Sequence, residues 1–352
     1  MKIEYEIADT NAAESQLNNS ELNGTFFHQS KWAEVLKETY GYEPRTISLY
    51  AGKDNRVCQL NLCVVHGVFG TRLVSLPFSD YGGPLSRDAD PLSVVRTLSH
   101  AIDTLASESD ARYVLFKSTI PELARPLMAQ GFQYIEELGN FIVRLGRPFS
   151  QIEQQFENDV RRRTRKGNQD GLQVTAVNDA NSIEEFYEVY LRDMRRHGSP
   201  PHAKKYFDKV WEKFEHSNEL RLIGCEFKSK KIGYALHLLH RGTALFYMGI
   251  WPGEARSMGV PPFLIANSIR TFAEEDYQFY DFGRTHNPSG EYSFKASFGG
   301  EYRSQFSLIK FYRGENYLEP SNWKYRTLSA FIRHMPLKLL GWIGPRVKEQ
   351  LE

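Results

Sequence analysis

A chain of 352 residues with 44 Lys and Arg against 43 Asp and Glu carries a formal charge of +1, too little to draw it as a whole to nucleic acid or a membrane. Apolar residues at 41%, with 23 Phe and 19 Tyr, exclude a disordered chain, and the length suggests two domains. No run approaches the roughly 20 apolar residues of a membrane span, and MKIEYEIADT has no apolar leader core, so a cytoplasmic protein is expected. Cys58, Cys63 and Cys225 lack metal-type spacing and are expected as core thiols of a reducing compartment, with no metal site.

In chain order, KIEYEIA (2–8) predicts a strand, followed by polar helical sequence and a helix from Ser30 to Tyr40 with Ser30 as its cap. RTISLYA, VCQLNLCVVH and TRLVSLP, broken by GKDN and GVFG, read as a three-stranded meander. After FSDYGGPLSRD, Asp90 caps a helix with Pro91 at its first position and Leu92, Val95, Leu98, Ile102 and Leu105 on one face. RYVLFK (112–117), a short helix from Pro121 and FQYIEELGNFIVRL (132–145) complete this half. In SQIEQQFENDVRRRTRKG (150–167), Ser150 and Glu153 form a capping box, and Ile152, Phe156 and Val160 share a face, so one bridging helix ending at Gly167 is expected.

The second half repeats the order. GLQVTAV (171–177) is a strand, SIEEFYEVYLRDMRRHG (182–198) and HAKKYFDKVWEKFEH (202–216) are helices, and LRLIGCEFK, KIGYALHLLH and TALFYMGIW are three more strands. The loop PGEARSMGVPP leads to a helix over 261–276, FYDFG (279–283) to a strand, residues 291–298 to a short helix, and RSQFSLIKFY (303–312) to a last strand. From residue 318 the sequence is helical, basic and aromatic. It either packs Phe331, Leu337, Leu340 and Trp342 on the body or makes peripheral contact with an anionic membrane.

Strand, two helices, three antiparallel strands, helix, strand, helix, strand, occurring twice, is the order of the GNAT acyltransferase fold. YDFGRTHNPSGEYSFKASFGGE (280–301), RRRTRKGNQDGLQV (161–174), MRRHGSPPHAKKYF (194–207), and HQSKWAEVL (28–36) with SDYGGP (79–84) carry a closer likeness. These stretches resemble the FemAB family of peptidoglycan-precursor peptidyltransferases and the acyltransferases related to it. The expected fold is α/β (α+β): two tandem GNAT-like domains, each a mixed, mostly antiparallel sheet flanked by helices, over 1–149 and 169–317. A bridging helix at 150–168 and a C-terminal helical tail at 318–352 complete it. The resemblance implies acyl or aminoacyl transfer to an amine of a cell-envelope precursor, with no tightly bound cofactor. The donor would be aminoacyl-tRNA or acyl-CoA, and the acceptor a small molecule or muropeptide. Alternatives are an acyl-CoA-dependent N-acetyltransferase and a non-enzymatic peptide- or glycan-binding protein on the same fold.

Acyl transfer to an amine needs a proton acceptor and a positive group where the carbonyl oxygen turns anionic. The resemblance implies Lys295, beside Phe294, for the oxyanion and Asp80 for the amine proton, with Tyr81 as a wall. Asp281 next to Arg284 reads as an ion pair holding the loop, while the planar fork of Arg284 also suits a phosphate or carboxylate. Tyr292 either donates a proton to the leaving group or packs. Lys31 and Trp32 are implied, by resemblance alone, for acceptor phosphate. In EARSMGVPPF, Arg256 and Gly259 before a helix partly match a coenzyme A pyrophosphate loop, but Pro261 removes a backbone donor. The run VRRRTRKGNQ is either a site for tRNA phosphates or a solvated helix end.

Overall fold

A computed structural model describes residues 3–10, 22, 24–53, 55–68, 70–87, 90–177, 180–314 and 323–351. The polar helical sequence expected after the first strand falls mostly outside these residues, as does the start of the C-terminal tail. The first elements are β1 (Glu4–Asp9), α1 (Ser30–Tyr40), β2 (Glu43–Tyr50), β3 (Arg56–Val65), β4 (Arg72–Val74), β5 (Leu85–Ser86), α2 (Pro91–Glu108), β6 (Tyr113–Thr119), α3 (Pro121–Met128) and β7 (Gln133–Arg144). Next come α4 (Phe149–Glu153), α5 (Asn158–Gln169), β8 (Gln173–Val177), α6 (Ala180–His197), α7 (Lys204–Phe214), β9 (Leu220–Phe227), β10 (Lys230–His240) and β11 (Thr243–Ile250). The chain continues through α8 (Gly253–Ser257), α9 (Val260–Glu274), β12 (Phe279–His286), α10 (Gly290–Ala296), β13 (Glu301–Phe311), α11 (Trp323–His334) and α12 (Leu337–Gln350). These form two units: Met1–Gly139 with Ser304–Tyr317 and Glu349–Glu352, and Asn140–Arg303 with Leu318–Lys348.

In the first unit the strands run β1-β2-β3-β4-β6. Neighbours are antiparallel except β4 and β6, which are parallel from Arg72 opposite Tyr113 to Val74 opposite Leu115. Beyond β6 lies β13, antiparallel, with Phe311 opposite Tyr113. Asp90 caps α2 by accepting from the N–H groups of Leu92 and Ser93 at 3.4 and 3.1 Å, with Pro91 at the position where no donor is needed. The buried face of α2 is Val94, Val95, Leu98, Ala101, Ile102 and Leu105, while Leu92 points outward at 55% exposure. Ser30 is the first helical residue of α1, and Gln29 holds the cap position without a side-chain bond.

The second unit repeats the pattern as β8-β9-β10-β11-β12, antiparallel except for a parallel β11–β12 step with Thr243 opposite Phe279. Here the strand beyond β12 is β7. The closing strands are therefore exchanged: Ser304–Phe311, late in the chain, belongs to the first unit and Asn140–Arg144 to the second. Alternation identifies a strand but does not name its neighbour.

The stretch 150–167 forms two helices rather than one, broken at 154–157, and Ile152, Phe156 and Val160 sit in the core of the second unit. Gly167 is not a stop. It lies inside α5, where a Cβ would come 2.6 Å from the ring of Phe263, so its hydrogen lets α5 and α9 approach. Burial raises the thiol pKa of all three cysteines, those of Cys58 and Cys225 to about 12, which leaves them protonated and inert. Among the described residues no helix is long and apolar enough to cross a membrane, and no His, Cys, Asp and Glu cluster is arranged to hold a metal.

His237, fully buried on β10 with its Nε2 3.1 Å from the Tyr280 hydroxyl, is pushed by burial to a pKa of about 3. Its folded value lies below the unfolded one of about 6.5, so the stability tied to its neutral form is complete above pH 6.5. That stability is lost as pH falls from about 6.5 toward 3. His237→Gln, which keeps a partner for Tyr280, should flatten the pH dependence of urea-unfolding stability in that window by up to one proton. An unchanged slope would show that His237 already protonates in the folded state.

Candidate active site

Residues 279–300 turn from β12 into α10, and their packing explains why the turn is fixed. Tyr280 and Phe282 are fully buried on the core side of β12, and the Phe282 ring stands 5.2 Å from Phe298. Asp281, on the other side, accepts from its own loop at Gly283 N–H (2.9 Å) and from Asn140 Nδ2 (3.1 Å). Its grip on the loop thus runs through a backbone N–H two residues on, the ordinary work of an aspartate beside glycine. Ser289 caps α10 by accepting from Tyr292 N–H at 2.9 Å. At the far end Gly299 has φ +73°, and a Cβ there would lie 2.6 Å from the carbonyl oxygen of Gln155.

Lys295 is 3% exposed. Its Nζ donates to the carbonyls of Arg284 (2.9 Å) and Gly283 (3.4 Å) and meets Glu291 Oε1 at 2.7 Å. An ammonium has three protons, and all three are engaged. Two partners are backbone atoms at the end of β12 and cannot leave, but Glu291 is a half-exposed side chain one helical turn away. Glu291 is thus the one of the three partners that can move without shifting the backbone of β12.

Other expected residues lie on the same two elements, α10 and the end of β12. Phe294 packs on Phe298 at 5.3 Å. Tyr292 is wedged between Phe141 at 4.9 Å and Tyr302 at 5.4 Å, both edge to face, so the contacts of its ring are packing contacts. Arg284 lends its carbonyl to Lys295. Lys348 near the end of α12 is a residue that sequence reasoning missed: burial, with the neighbouring Arg284 adding to it, pulls its ammonium down to about 8. Nothing in the local sequence PRVKEQ marks Lys348, because only the fold brings α12 to Arg284.

A second cationic group lies where α6 ends and α8 begins. Arg196 donates through Nε and Nη2 to buried Asp193 at 3.1 and 2.7 Å. Burial lowers the His197 pKa against the pull of Asp193, with Arg196, Arg256 and Arg333 adding to the lowering. Arg256 and Arg196 thus flank the loop before α9, and Gly259, its cap, has its Cβ position 4.0 Å from Arg163. The backbone there is poor in donors. Gly259 N–H already donates to Arg256 O at 3.0 Å, Phe263 N–H donates to Gly259 O at 3.2 Å, and Pro261 and Pro262 have none. Val260 alone among residues 259–263 could offer an N–H to an anion.

In the first unit, the two stretches singled out in the sequence come together. His28 Nε2 lies 3.3 Å from Gly83 O, and Tyr81 stands 6.4 Å from Phe27. Asp80 is half-buried in a loop whose preceding residues, Leu76 and Phe78, have φ of +41° and +59°. Each left-handed residue of this kind costs about 1–2 kcal/mol, and strain of that sort concentrates at functional sites. Trp32 is a core residue with no exposed surface, packed on Phe27 at 4.9 Å and Phe26 at 6.0 Å, so its role is to hold α1 and not to touch a ligand. Lys31 beside it is half-buried on the first turn of α1. Sequence reasoning also missed a buried polar chain on β3: Arg56 donates to Gln59 (2.7 Å), Gln59 to Asn61 (2.8 Å), and Asn61 to the carbonyl of His28 (3.4 Å). The polar alternation of Gln59 and Asn61 within VCQLNLC was its visible signal.

Comparison with known proteins bears on the fold. Residues 154–296 match the family model described as an acetyltransferase (GNAT) domain. The chain resembles the crystal structure of FemX with a TM-score of 0.65 at 14% identity, covering 88% of this chain and 97% of that one. It resembles a tandem GNAT protein from the clavulanic acid biosynthesis pathway with a TM-score of 0.56 at 12% identity, covering 90% and 100%. L-PGS from Bacillus licheniformis follows with a TM-score of 0.53 at 14% identity, covering 89% and 96%. No curated protein matches the sequence. The chain therefore has a tandem GNAT-type fold, shared with FemX and with the clavulanic acid pathway protein.

Proposed function

We propose that this protein transfers an aminoacyl or other acyl group from an ester donor to an amine of a peptidoglycan-type cell-envelope precursor. The observation that carries the choice of donor is the first turn of α9. A coenzyme A diphosphate bound at a helix start is held by a row of backbone N–H groups, and here prolines and an internal turn bond have taken almost all of them. The fold's likeness to FemX and the YDFG and FKASFGG stretches supply the rest of the reading.

In the reaction the amine nitrogen bonds to the acyl carbon, the carbonyl oxygen turns anionic, and the ester C–O bond then breaks to leave an amide and an alcohol. Lys295, with Glu291 displaced, places an ammonium at the oxyanion. Asp80 takes the proton of the attacking amine, which returns to the leaving oxygen. Tyr81, Phe294 and Lys31 contact the substrates, Arg284 and the basic face of α5 meet phosphate or carboxylate groups on them, and tRNA is the donor's carrier. The second reading, an acyl-CoA-dependent N-acetyltransferase, draws on Arg256 and Arg196 beside α9.

Thermal melting with acetyl-coenzyme A separates the two. A ligand at one hundred times its Kd adds about 2.7 kcal/mol of stability. The ester-donor reading predicts no rise in Tm at millimolar acetyl-coenzyme A for either the wild type or Arg256→Glu. A rise of several degrees that Arg256→Glu removes would replace it with the acetyltransferase reading.

A further inference from the structure

The two C-terminal helices carry a surface that the proposed reaction does not use. Between residues 320 and 347 the sequence has five cations, Lys324, Arg326, Arg333, Lys338 and Arg346, and no Asp or Glu, in a chain whose net charge is only +1. Leu328, Ile332, Met335 and Leu340 form a small cluster that holds the two helices. Gly344 packs on Pro201 and Gly198 on Ser329, so this seat is on α6 and the turn after it.

The opposite faces are open. On α12 the exposed residues Lys338, Leu339, Trp342 and Arg346 follow one another at helical spacing and span roughly 100° of the helix. Trp342 is 64% exposed, with the Arg346 guanidinium stacked 4.7 Å over its ring. On α11, Phe331 is 63% exposed beside Arg326, Ala330 and His334. Two large aromatic rings and a leucine in water cost free energy, and no acid among these residues balances the cations. Exposed Trp and Phe interleaved with Lys and Arg fit the boundary between acyl chains and anionic headgroups, where rings sit among the chains and cations reach up to phosphates.

We infer that the α11–α12 hairpin docks this protein on an anionic lipid surface. The attraction is the sum of aromatic insertion and the pull of the negative surface on each cation near it.

The test is co-sedimentation of the full chain with lipid vesicles of phosphatidylcholine alone or with about 30% phosphatidylglycerol. Sedimentation with the anionic vesicles only, a blue shift of tryptophan emission that Trp342→Phe diminishes, and at least a roughly tenfold weaker partition for the double variant Arg326→Glu, Lys338→Glu are expected. All the substituted positions are exposed, and melting curves verify that the variants fold. Absence of binding to anionic vesicles, or binding that the double variant leaves unchanged, overturns the inference. So does a self-association or a tRNA affinity that Trp342→Ser or the charge variant abolishes while vesicles remain unbound.

Discussion

Lys295→Ala is expected to lower kcat for acyl transfer by about 10²–10³, the scale on which removal of one oxyanion donor acts, with KM nearly unchanged. The ammonium is buried, and its third proton is held by a carboxylate that can leave. The same substitution strips a donor from the carbonyls of Gly283 and Arg284, at a cost of about 1–3 kcal/mol in folding stability. Rate and stability must therefore be read separately, with kcat measured well below the variant's Tm. Glu291→Gln provides the contrast: it removes the carboxylate but keeps a neutral acceptor for the ammonium, and should keep kcat within a few-fold of wild type. If Lys295→Ala lowers Tm but leaves kcat intact, Lys295 only holds β12 to α10, and the oxyanion is stabilised elsewhere.

Gly83→Ala should be the most damaging single methyl addition in the first unit. A Cβ at Gly83 would stand 2.0 Å from Ser118 O and 3.0 Å from Ser118 C, both backbone atoms of β6. β6 is held between β4 and β13, so the loop carrying Asp80 and Tyr81 must move instead. Overlaps of this kind cost about 1–3 kcal/mol and occasionally more, and the displaced loop would lose the contact of His28 with Gly83. Transfer activity should fall with stability. Gly41→Ala is the control: Gly41 has φ +71° but nothing within 4 Å of its Cβ position, so only left-handed strain of about 1–2 kcal/mol is added. Urea unfolding that shows equal losses for the two would mean the loop around Asp80 is not packed on β6.

The repeated order of elements is legible because it is written in local signals. Asp90 before Pro91 starts α2, and short apolar runs broken by Gly and Asn delimit the strands. What stayed hidden depends on distant neighbours. The exchange of β7 and β13 leaves no mark, since an alternating strand fits either sheet. Gly167 sits at the end of a basic run and imitates a helix stop, yet it is small because Phe263 approaches there. The site was half legible. Phe294 and Lys295, named by resemblance, lie on a capped helix whose lysine bonds the end of β12. Trp32, carried over in the same way, proves to be a core ring, because an aromatic residue in an amphipathic helix reads alike as cleft wall and as packing. The Arg56 to Asn61 chain and Lys348 required a folded chain to be seen, since their partners lie far off in sequence.

The most direct measurement is single-turnover transfer of a radiolabelled aminoacyl group from aminoacyl-tRNA to a nucleotide-linked muropeptide, followed by mass analysis of the acceptor, with acetyl-coenzyme A as the parallel donor. Transfer from an ester donor predicts label in an amide of the acceptor, none from acetyl-coenzyme A, and loss of the product with Lys295→Ala and with Asp80→Asn. Acetyl transfer from coenzyme A that survives both substitutions, with no aminoacyl product, would contradict it.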